Sequence, residues 1–295
     1  MATTITLVSI CDNHYAEMLC ALLKSIAENH HTGEPISYYI IDDQISTGRK
    51  KQVEQSVAAP DFTLNWIPLK KAIPANARVP IDLTMYPLNI YARLFISETL
   101  PGLERVIYLD VDTIVNGEIS ELWNTDLQGR IAGAVLDPLG TFDNPAGVGN
   151  YRELGLSGKS PYFNSGVLLL DLKAWKARNL GEEVLRIIYE NRRFAKFPDQ
   201  YGLNVALADN WTPIDPSWNA FASFEYQQLP NLVHFIAQKP IYEDYQGNVQ
   251  FRDLFYGYLG RTAFRGFRPA ARSNRFMQKG TQKLKKFFFK LFGRN

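Results

Sequence analysis

Short apolar segments alternate with helix-like segments through the first part of the chain. Residues 5–10, 36–41 and 62–67 are short and rich in β-branched and aromatic side chains, as buried strands usually are. Between them, residues 18–26 place apolar side chains at helical spacing, and residues 47–57 predict a basic helix. This β-α-β-α-β order predicts a mostly parallel, doubly wound sheet with helices on both faces.

In the next part of the sequence, two predicted strands end in aspartate. The apolar runs at residues 105–112 and 131–137 both end in this way, and residues 163–172 form a third apolar run. Residues 140–160 are rich in Gly, Pro and Asn and predict a long loop of the kind that usually serves binding. A helix is predicted at residues 180–192. The chain is therefore expected to be an α/β protein with carboxylates at its strand ends.

Composition places the chain among globular proteins. Its 295 residues, 46% hydrophobic and 13% aromatic, can build one large core or two modest ones. The first residues resemble a strand and lack the basic start and long apolar run of a signal peptide, and no apolar segment approaches membrane-spanning length. Cys11 and Cys20 are accordingly expected to stay reduced and to serve as packing residues.

The net charge of +2 conceals an uneven distribution along the chain. From residue 261 onward there are eleven Lys and Arg residues and no Asp or Glu, which leaves residues 1–260 with 21 positive and 30 negative side chains, a net charge of −9. We therefore expect an acidic globular domain at residues 1–260 and a basic tail at residues 261–295.

Asp110 and Asp112 are the first candidates for chemistry, because they follow a buried strand one residue apart. If the strand stays extended, both side chains project to the same side while Val111 packs inward. Two like charges held this close favour a bound cation, and open α/β sheets bind ligands beyond the carboxyl ends of their strands. The pair is either a divalent-metal site that bridges to a phosphate-bearing ligand or a solvated strand-to-turn corner.

Three further polar residues near predicted elements have structural and functional interpretations. Asp12 could cap the first helix, or it could bind a base or ribose with Tyr15 stacked on the ring. Arg93, the single cation of residues 89–96, could be a surface residue with a buried stem or the partner of the aspartate pair. Asp199 stands at the start of a predicted helix and could cap it.

His234 terminates a short apolar segment. A lone histidine is usually a packed or surface residue, but as a third ligand beside two carboxylates it would suit Mn²⁺, which accepts imidazole nitrogen as well as oxygen. Lys239 follows five residues later and could contact a phosphate.

Six blocks of the sequence resemble, in this order, the retaining family 8 glycosyltransferases. The similarity is greatest to the bacterial lipopolysaccharide galactosyltransferases and glucosyltransferases, and it covers residues 4–240 with a weaker likeness in the tail. Each block alone is common, but six in one order are highly specific. The blocks are 91–94 (YARL), 108–112 (YLDVD), 122–127 (LWNTDL), 163–169 (FNSGVLL), 199–200 (DQ) and 234–240, which contains HF and KP.

The resemblance implies a Rossmann-like glycosyltransferase A fold that binds a UDP-hexose donor, glucose or galactose, and a saccharide or glycolipid acceptor. It implies Mn²⁺, with Mg²⁺ as the alternative, bound by Asp110, Asp112 and His234. Further donor contacts implied by the family come from Asp12 and Tyr15 to uracil, from Arg93 to the sugar or to the acids that it orders, from Lys239 to the diphosphate, and from Val111, Asn164 and Ser165 elsewhere on the donor.

The same resemblance makes Asp137, Asp199 and Gln200 the catalytic candidates, since they match positions around the anomeric carbon. Retention could proceed through a covalent glycosyl-enzyme, which needs a carboxylate close beneath the sugar ring. It could also proceed by front-face attack, in which the departing phosphate takes the acceptor proton. Gln200 is a poor nucleophile, so front-face attack is favoured, with Asp137 and Asp199 as alternative nucleophiles.

One motif departs from the family pattern. The family usually carries His-x-x-Gly-x-x-Lys-Pro, whereas the segment from His234 to Pro240 is one residue shorter and lacks the glycine. The departure bears on the diphosphate contact of Lys239 more than on the metal contact of His234.

The tail beyond residue 261 interleaves aromatic side chains with its cations. Residues 283–292 can form a basic amphipathic helix in a membrane interface, where each cation near an anionic leaflet contributes about 1 kcal/mol. We therefore expect a cytoplasmic enzyme held peripherally on the inner face of the bacterial cytoplasmic membrane, with no nucleic-acid partner.

Two other functions are compatible with the same pattern. A sugar-nucleotide pyrophosphorylase would use a similar sheet and metal, but it normally carries a Gly-rich basic loop after the first strand, and residues 11–15 contain none. A membrane-bound scaffold that has lost catalysis would not need the intact pair of Asp110 and Asp112. Metal-dependent release of UDP from a UDP-hexose separates these possibilities.

Overall fold

The structure is a computed structural model that describes residues 3–57, 59–80 and 87–271. Strands and helices alternate along this part of the chain. The strands are β1 (Ile5–Asp12), β2 (Ile36–Asp43), β3 (Phe62–Pro68), β4 (Arg105–Leu109), β5 (Thr113–Val115), β6 (Ala132–Thr141), β7 (Pro161–Asp171), β8 (Trp211–Pro213), β9 (Ala220–Phe221) and β10 (Leu232–His234). The α-helices are α1 (Ala16–Asn29), α2 (Thr47–Ser56), α3 (Leu69–Ala72), α4 (Ile96–Thr99), α5 (Ile119–Trp123), α6 (Leu172–Ala177), α7 (Leu180–Glu190), α8 (Pro198–Ala206) and α9 (Val249–Leu259). Segments of 3₁₀ helix are Asn13–Tyr15, Leu88–Phe95 and Pro216–Asn219.

A seven-stranded central sheet has the order β3-β2-β1-β4-β7-β6-β8. The strands β3, β2, β1 and β4 run parallel to one another, and β8 runs parallel to β6. Only the central β7 reverses direction, pairing antiparallel with β4 and with β6. The prediction of a mostly parallel α/β sheet is therefore confirmed. The parallel pairing brings the carboxyl ends of β1 and β4, and with them Asp12 and Asp110, to one edge.

Both faces of this sheet are buried, which explains the continuous apolar runs in the sequence. Alternate residues of β4 pack into different hydrophobic clusters, Ile107 on one side and Tyr108 on the other. The first cluster includes apolar residues of α1 and α9, and the second includes those of α7 and α8. Helices on both faces, as predicted, thus enclose the strands from which the site is built.

A second, three-stranded sheet has the order β5-β10-β9. The strand β10 pairs antiparallel with β5, which places His234 opposite Thr113, and parallel with β9. Because β5 begins directly after Asp112, this pairing brings the end of β10 to the aspartate pair. His234 is far from the two aspartates in the sequence, and the pairing of β10 with β5 is what brings them together.

The backbone between β4 and β5 corrects one expectation from the sequence. Asp110 and Asp112 do not lie on an extended strand, because β4 ends at Leu109 and the chain turns before β5. The Thr113 hydroxyl donates to the carbonyl oxygen of Asp110 at 2.8 Å and closes this turn. Val111 packs in the core as predicted, 8% exposed. The carboxylates converge because the chain turns between β4 and β5.

Other features of the described residues bear on the sequence predictions. Cys11 and Cys20 are buried free thiols, so their predicted packing role is confirmed. Among the described helices, none combines the length and the apolar character needed to cross a membrane. Phe264 is buried in the core cluster, so packing on the domain continues past residue 260. The domain boundary at residue 260 stays a prediction, and the predicted amphipathic helix at 283–292 lies outside the described residues.

Candidate active site

Asp110, Asp112 and His234 form a compact group of potential metal ligands. Each offers one atom, and these atoms all lie within 4.8 Å of one another. Nε2 of His234 is 3.4 Å from Oδ1 of Asp112 and 3.8 Å from Oδ2 of Asp110. The imidazole side chain is 3% exposed, whereas the carboxylates of Asp110 and Asp112 are 26% and 17% exposed. The group is therefore closed behind the histidine and open on the carboxylate side.

A series of hydrogen-bonded amide side chains orients the ring of His234. Nδ2 of Asn164 donates to Oδ2 of Asp137 at 3.1 Å, which leaves Oδ1 of Asn164 to accept from Nδ2 of Asn219 at 2.9 Å. Oδ1 of Asn219 in turn lies 2.8 Å from Nδ1 of His234, which must donate to it. In the neutral form of the ring the proton is thus on Nδ1, which leaves the lone pair of Nε2 for a cation bound between this nitrogen and the carboxylates.

Gly166 in β7 makes room for this arrangement. A Cβ at this position would overlap Cε1 of His234 and lie 2.9 Å from Oδ2 of Asp110. The carbonyl oxygen of Gly166 also accepts from the Asp110 amide at 2.7 Å. A side chain here would fill the space between the candidate ligands.

The candidate ligand atoms fit a divalent cation that binds both oxygen and nitrogen ligands. Two carboxylates and an imidazole with a free Nε2 would hold Mn²⁺ well, while the imidazole disfavours a strictly oxygen-preferring ion such as Ca²⁺. The hydrogen bond from Nδ1 to Asn219 is the kind of outer contact that orients a ligating histidine. The residues present therefore fit the metal that the resemblance implies.

Arg93 connects one of these acids with a second carboxylate. Its Nη2 lies 2.9 Å from Oδ1 of Asp110 and its Nε 3.1 Å from Oδ2 of Asp199. Nη1 donates to the carbonyl oxygen of Ser165 at 2.9 Å, and the guanidinium lies 4.5 Å from the ring centroid of Tyr108. Arg93 is 7% exposed, so of the two interpretations the structure supports the partner of the acids.

Asp199 is held by this arginine, and α8 begins without a side-chain cap, so Asp199 does not have the predicted capping role. Burial raises the pKa of the Asp199 carboxyl, partly offset by Arg93. Arg93 is thus the positively charged partner of this buried carboxyl group beside the candidate metal site.

Lys239 contacts Asp112 directly. Its ammonium donates to Oδ2 of Asp112 and, at 3.1 Å, to the carbonyl oxygen of Phe235. Burial acts to raise the pKa of the Asp112 carboxyl, but Lys239 and His234 outweigh it and hold that pKa well below its usual range. Both side chains are 17% exposed, so the lysine can reach solvent from this position.

The turn after β1 forms the other end of the site. Oδ1 of Asp12 accepts from the backbone amides of His14 and Tyr15 at 2.9 and 3.1 Å, so Asp12 caps the 3₁₀ helix Asn13–Tyr15. The ring centroid of Tyr15 lies 5.8 Å from Nζ of Lys239. Asp12 and Tyr15 are thus close to the lysine that contacts the acid pair.

A buried amide and carboxylate cluster lies on the opposite side of the ligands. Gln200 accepts at Oε1 from the Ser165 amide and from Asn164 Nδ2, each at 3.1 Å, and its Nε2 donates to Oδ2 of Asp137 at 3.2 Å. Oδ1 of Asp137 accepts from the Leu139 amide at 3.0 Å. The structure thus brings Asp137, Asn164 and Gln200 together as the resemblance implies.

The sequence model of glycosyl transferase family 8 matches residues 6–241, most of the chain. The chain belongs to this family. General stress protein A of Bacillus subtilis is 26% identical over 289 residues, covering 87% of this chain and 93% of that protein. Lipopolysaccharide 1,2-glucosyltransferase of Escherichia coli is 38% identical over 121 residues, which cover 40% of this chain and 34% of that enzyme.

A solved structure shares the fold of this family 8 glycosyltransferase. The galactosyltransferase LgtC, in complex with donor and acceptor sugar analogues, superposes with a TM-score of 0.70 at 22% identity, over 88% of this chain and 96% of LgtC. The Rossmann-like glycosyltransferase A fold and the family resemblance are therefore confirmed. Family 8 enzymes generally depend on a divalent metal, which agrees with the Asp110, Asp112 and His234 cluster.

Two residues of the site were not singled out by the sequence analysis. Asn219 lies in a 3₁₀ segment and reaches His234 through the pairing of β9 with β10, which no local pattern reveals. Gly166 left a visible signal, because a glycine within an apolar strand often marks a close approach of other groups.

The backbone explains the glycine of the family motif. The family carries glycine three residues after the histidine, and here Ala237 occupies that position with φ of 61°. This left-handed conformation disfavours a Cβ. The short segment after it leads Lys239 back onto Asp112.

We expect Ala237→Gly to stabilise the protein. Removing a strained Cβ gains about 1–2 kcal/mol, and the entropy of glycine costs about 0.5–1 kcal/mol, so the free energy of unfolding should rise by about 0.5–1 kcal/mol. Urea denaturation measures this change. Ala177→Gly at the exposed end of α6 is the control and should lower the free energy of unfolding. A decrease with Ala237→Gly would contradict the strain at this position.

Proposed function

We propose that this family 8 glycosyltransferase is a retaining, metal-dependent enzyme that transfers glucose or galactose from a UDP-hexose to a saccharide acceptor. The observation that carries the proposal is the convergence of Asp110, Asp112 and Nε2 of His234 within 4.8 Å, beside a buried amide cluster. Lipopolysaccharide or another lipid-linked glycan is the proposed acceptor, in keeping with the E. coli relative named a lipopolysaccharide 1,2-glucosyltransferase.

The donor would extend from the turn after β1, across the metal cluster, to the amide cluster. Oδ2 of Asp12, which receives neither of the backbone amides bound at Oδ1, is the proposed partner of uracil, with Tyr15 stacked on the ring. Val111 lies between the two acids along this path. Asn164 and Ser165 would contact the hexose at the opposite end.

Charge growing on the leaving diphosphate is the main electrostatic demand of the reaction. A bound Mn²⁺, or Mg²⁺ as the alternative, would neutralise that charge. Lys239 is the proposed second positive group, and its ammonium, which lies against Asp112 and is partly exposed, supports this role. Arg93 holds the side chains of Asp110 and Asp199 in place without occupying the open carboxylate side.

The hydrogen bonds around the catalytic candidates favour front-face attack. Oε1 of Gln200 already accepts three bonds, both oxygens of Asp137 accept bonds, and Asp199 is paired with Arg93. A covalent route would require one of these carboxylates to leave its partners and approach the anomeric carbon. We therefore propose that a phosphate oxygen of the leaving group takes the acceptor proton and that Gln200 orients the sugar.

The decisive experiment for the proposed function is UDP release from a panel of nucleotide sugars. We expect release from UDP-glucose or UDP-galactose, loss of activity on chelation, and better recovery with Mn²⁺ than with Ca²⁺. Proton NMR of the product should show the α configuration of the donor retained. A β product, equal recovery with Ca²⁺, or formation of UTP from UDP-hexose and pyrophosphate would each contradict part of the proposal.

The basic tail is the proposed membrane anchor, for an enzyme on the cytoplasmic face of the bacterial inner membrane. Because Phe264 is part of the core, the informative truncation ends after Ala271 and removes residues 272–295. We expect the full chain, but not the truncated one, to sediment with vesicles containing phosphatidylglycerol, while both release UDP from the donor. Sedimentation of the truncated chain to the same extent would place the membrane contact elsewhere.

A further inference from the structure

An aromatic stack begins at His234 and ends in solvent. Phe221 packs edge-on against the imidazole, with ring centroids 6.0 Å apart and planes at 76°. Phe224 stacks parallel on Phe221, with centroids 6.2 Å apart and planes at 2°. The Phe224 side chain is 48% exposed. The stack therefore leads from a candidate metal ligand to the protein surface.

Strand pairing holds these rings in place. Phe221 lies opposite His234 in the pairing of β9 with β10, and the Ala222 amide donates to the His234 carbonyl oxygen at 2.9 Å. The Phe224 amide donates to the carbonyl oxygen of Phe221 at 3.0 Å, which closes a tight turn. A surface formed in this way is ordered before a ligand arrives, so binding orders few side chains.

The residues that follow are more apolar than a solvated loop requires. Residues 223–229 are all exposed, yet they include Tyr226 at 39% and Leu229 at 60% exposure besides Phe224. The Tyr226 hydroxyl donates to the Phe221 carbonyl oxygen at 3.3 Å, which ties it to the stack. Apolar surface concentrated beside a site, with polar residues interleaved, is typical of a ligand-binding surface. We call Phe221, Phe224 and Tyr226 the aromatic platform.

The aromatic platform and the proposed uracil site approach the metal cluster through different ligands. Tyr15 lies near Lys239, which contacts Asp112, whereas Phe221 contacts His234. With Tyr15 proposed to stack on uracil, the aromatic platform is the aromatic surface that remains for the second substrate, the acceptor.

We infer that the aromatic platform is the acceptor subsite, where a pyranose ring of the saccharide acceptor stacks its C–H face on Phe224. This inference rests on the proposed glycosyl transfer and names the residues that select its second substrate. Sugar rings offer one apolar face and a rim of hydroxyl groups, which matches a ring surface interleaved with Ser223, Glu225 and Gln227. The platform would position the attacking hydroxyl beside the metal cluster.

The test measures UDP release from UDP-glucose and UDP-galactose with Mn²⁺, without acceptor and with lactose, maltose or deacylated lipopolysaccharide core oligosaccharide. We expect Phe224→Ala to raise the KM for the stimulating saccharide about tenfold, the loss typical of one aromatic contact. The ratio of acceptor-dependent to acceptor-free UDP release should fall accordingly. Phe224→Trp keeps a ring and should retain a KM near that of the unaltered protein.

Tyr189→Ala removes a 56% exposed aromatic side chain from α7 and is the matched control, with no expected change in KM. An unchanged KM with Phe224→Ala overturns the inference, as does stimulation of the unaltered protein by none of the saccharides. Parallel loss of the acceptor-free rate would show that the ring only supports His234. Loss of sedimentation with phosphatidylglycerol vesicles at constant KM would make the platform a lipid contact. Absence of UDP release from the unaltered protein would instead contradict the proposed function.

Discussion

Asp112→Asn is expected to lower Mn²⁺-dependent UDP release by about 10³-fold or more while the chain stays folded. The substitution removes one of two carboxylate charges from the metal cluster, and losing about 4 kcal/mol of leaving-group stabilisation corresponds to this factor. The free energy of unfolding should also fall, because Lys239 and His234 hold the pKa of the Asp112 carboxyl down and its charge therefore stabilises the folded chain at neutral pH. Far-UV circular dichroism of the variant checks that the rate is measured on folded protein. Calorimetric titration with Mn²⁺ measures the metal affinity, and release of UDP measures the rate.

Asp143→Asn is the matched control for this substitution. This control substitution also replaces a carboxylate by an amide, but in an exposed ion pair with Lys159. The rate of UDP release and the Mn²⁺ affinity should therefore not change. If Asp112→Asn retained Mn²⁺-dependent activity within tenfold of the unaltered protein, Asp112 would not be a metal ligand. A loss of activity at unchanged Mn²⁺ affinity would indicate that Asp112 acts through Lys239 alone.

Arg93→Met is expected to produce the largest loss of stability, about 3–5 kcal/mol in the free energy of unfolding. Arg93 is 7% exposed and pairs with Asp110 and with Asp199, so its removal leaves two carboxylates near each other without a cation. The methionine fills much of the volume, which separates the loss of charge from the loss of packing. Urea denaturation at neutral pH measures the effect.

Arg178→Met provides the comparison on the surface. Its ion pair with Glu183 has a similar distance, 2.8 Å, but the side chains are 33% and 25% exposed, so the loss should be below about 1 kcal/mol. Adding Asp199→Asn to Arg93→Met removes one unpaired charge and should restore part of the stability. Equal losses from Arg93→Met and Arg178→Met would show that the buried ion-pair network contributes no more than a surface pair.

Local patterns were sufficient to predict most of the fold and part of the site. The parallel strands are continuous apolar runs because both faces of the sheet are buried, and periodicity therefore located them without any tertiary information. The acid pair was visible for the same reason, since Asp110 and Asp112 interrupt an apolar run at its end. The ordered blocks then indicated the family that residues 6–241 match.

The roles of the single residues His234, Arg93 and Asp199 depended on partners that no local pattern identifies. His234 lies 122 residues beyond Asp112 and joins it only because β10 pairs with β5. Arg93 had two interpretations in the sequence, and burial between Asp110 and Asp199 selected one. The left-handed backbone of Ala237 was equally invisible, because a residue type does not report its own dihedral angles.

Sequence periodicity determined which segments form strands, which faces are buried and where acids meet the sheet edge, because these properties depend on neighbours along the chain. The turn after Leu109, the tautomer of His234 and the contact of Lys239 with Asp112 came from the folded arrangement alone. These features depend on the sheet register and on the turn between β4 and β5, which together determine how far apart the groups lie. A hydrogen bond across 55 residues, such as that from Asn219 to Asn164, exists only once the 3₁₀ segment Pro216–Asn219 has packed against β7.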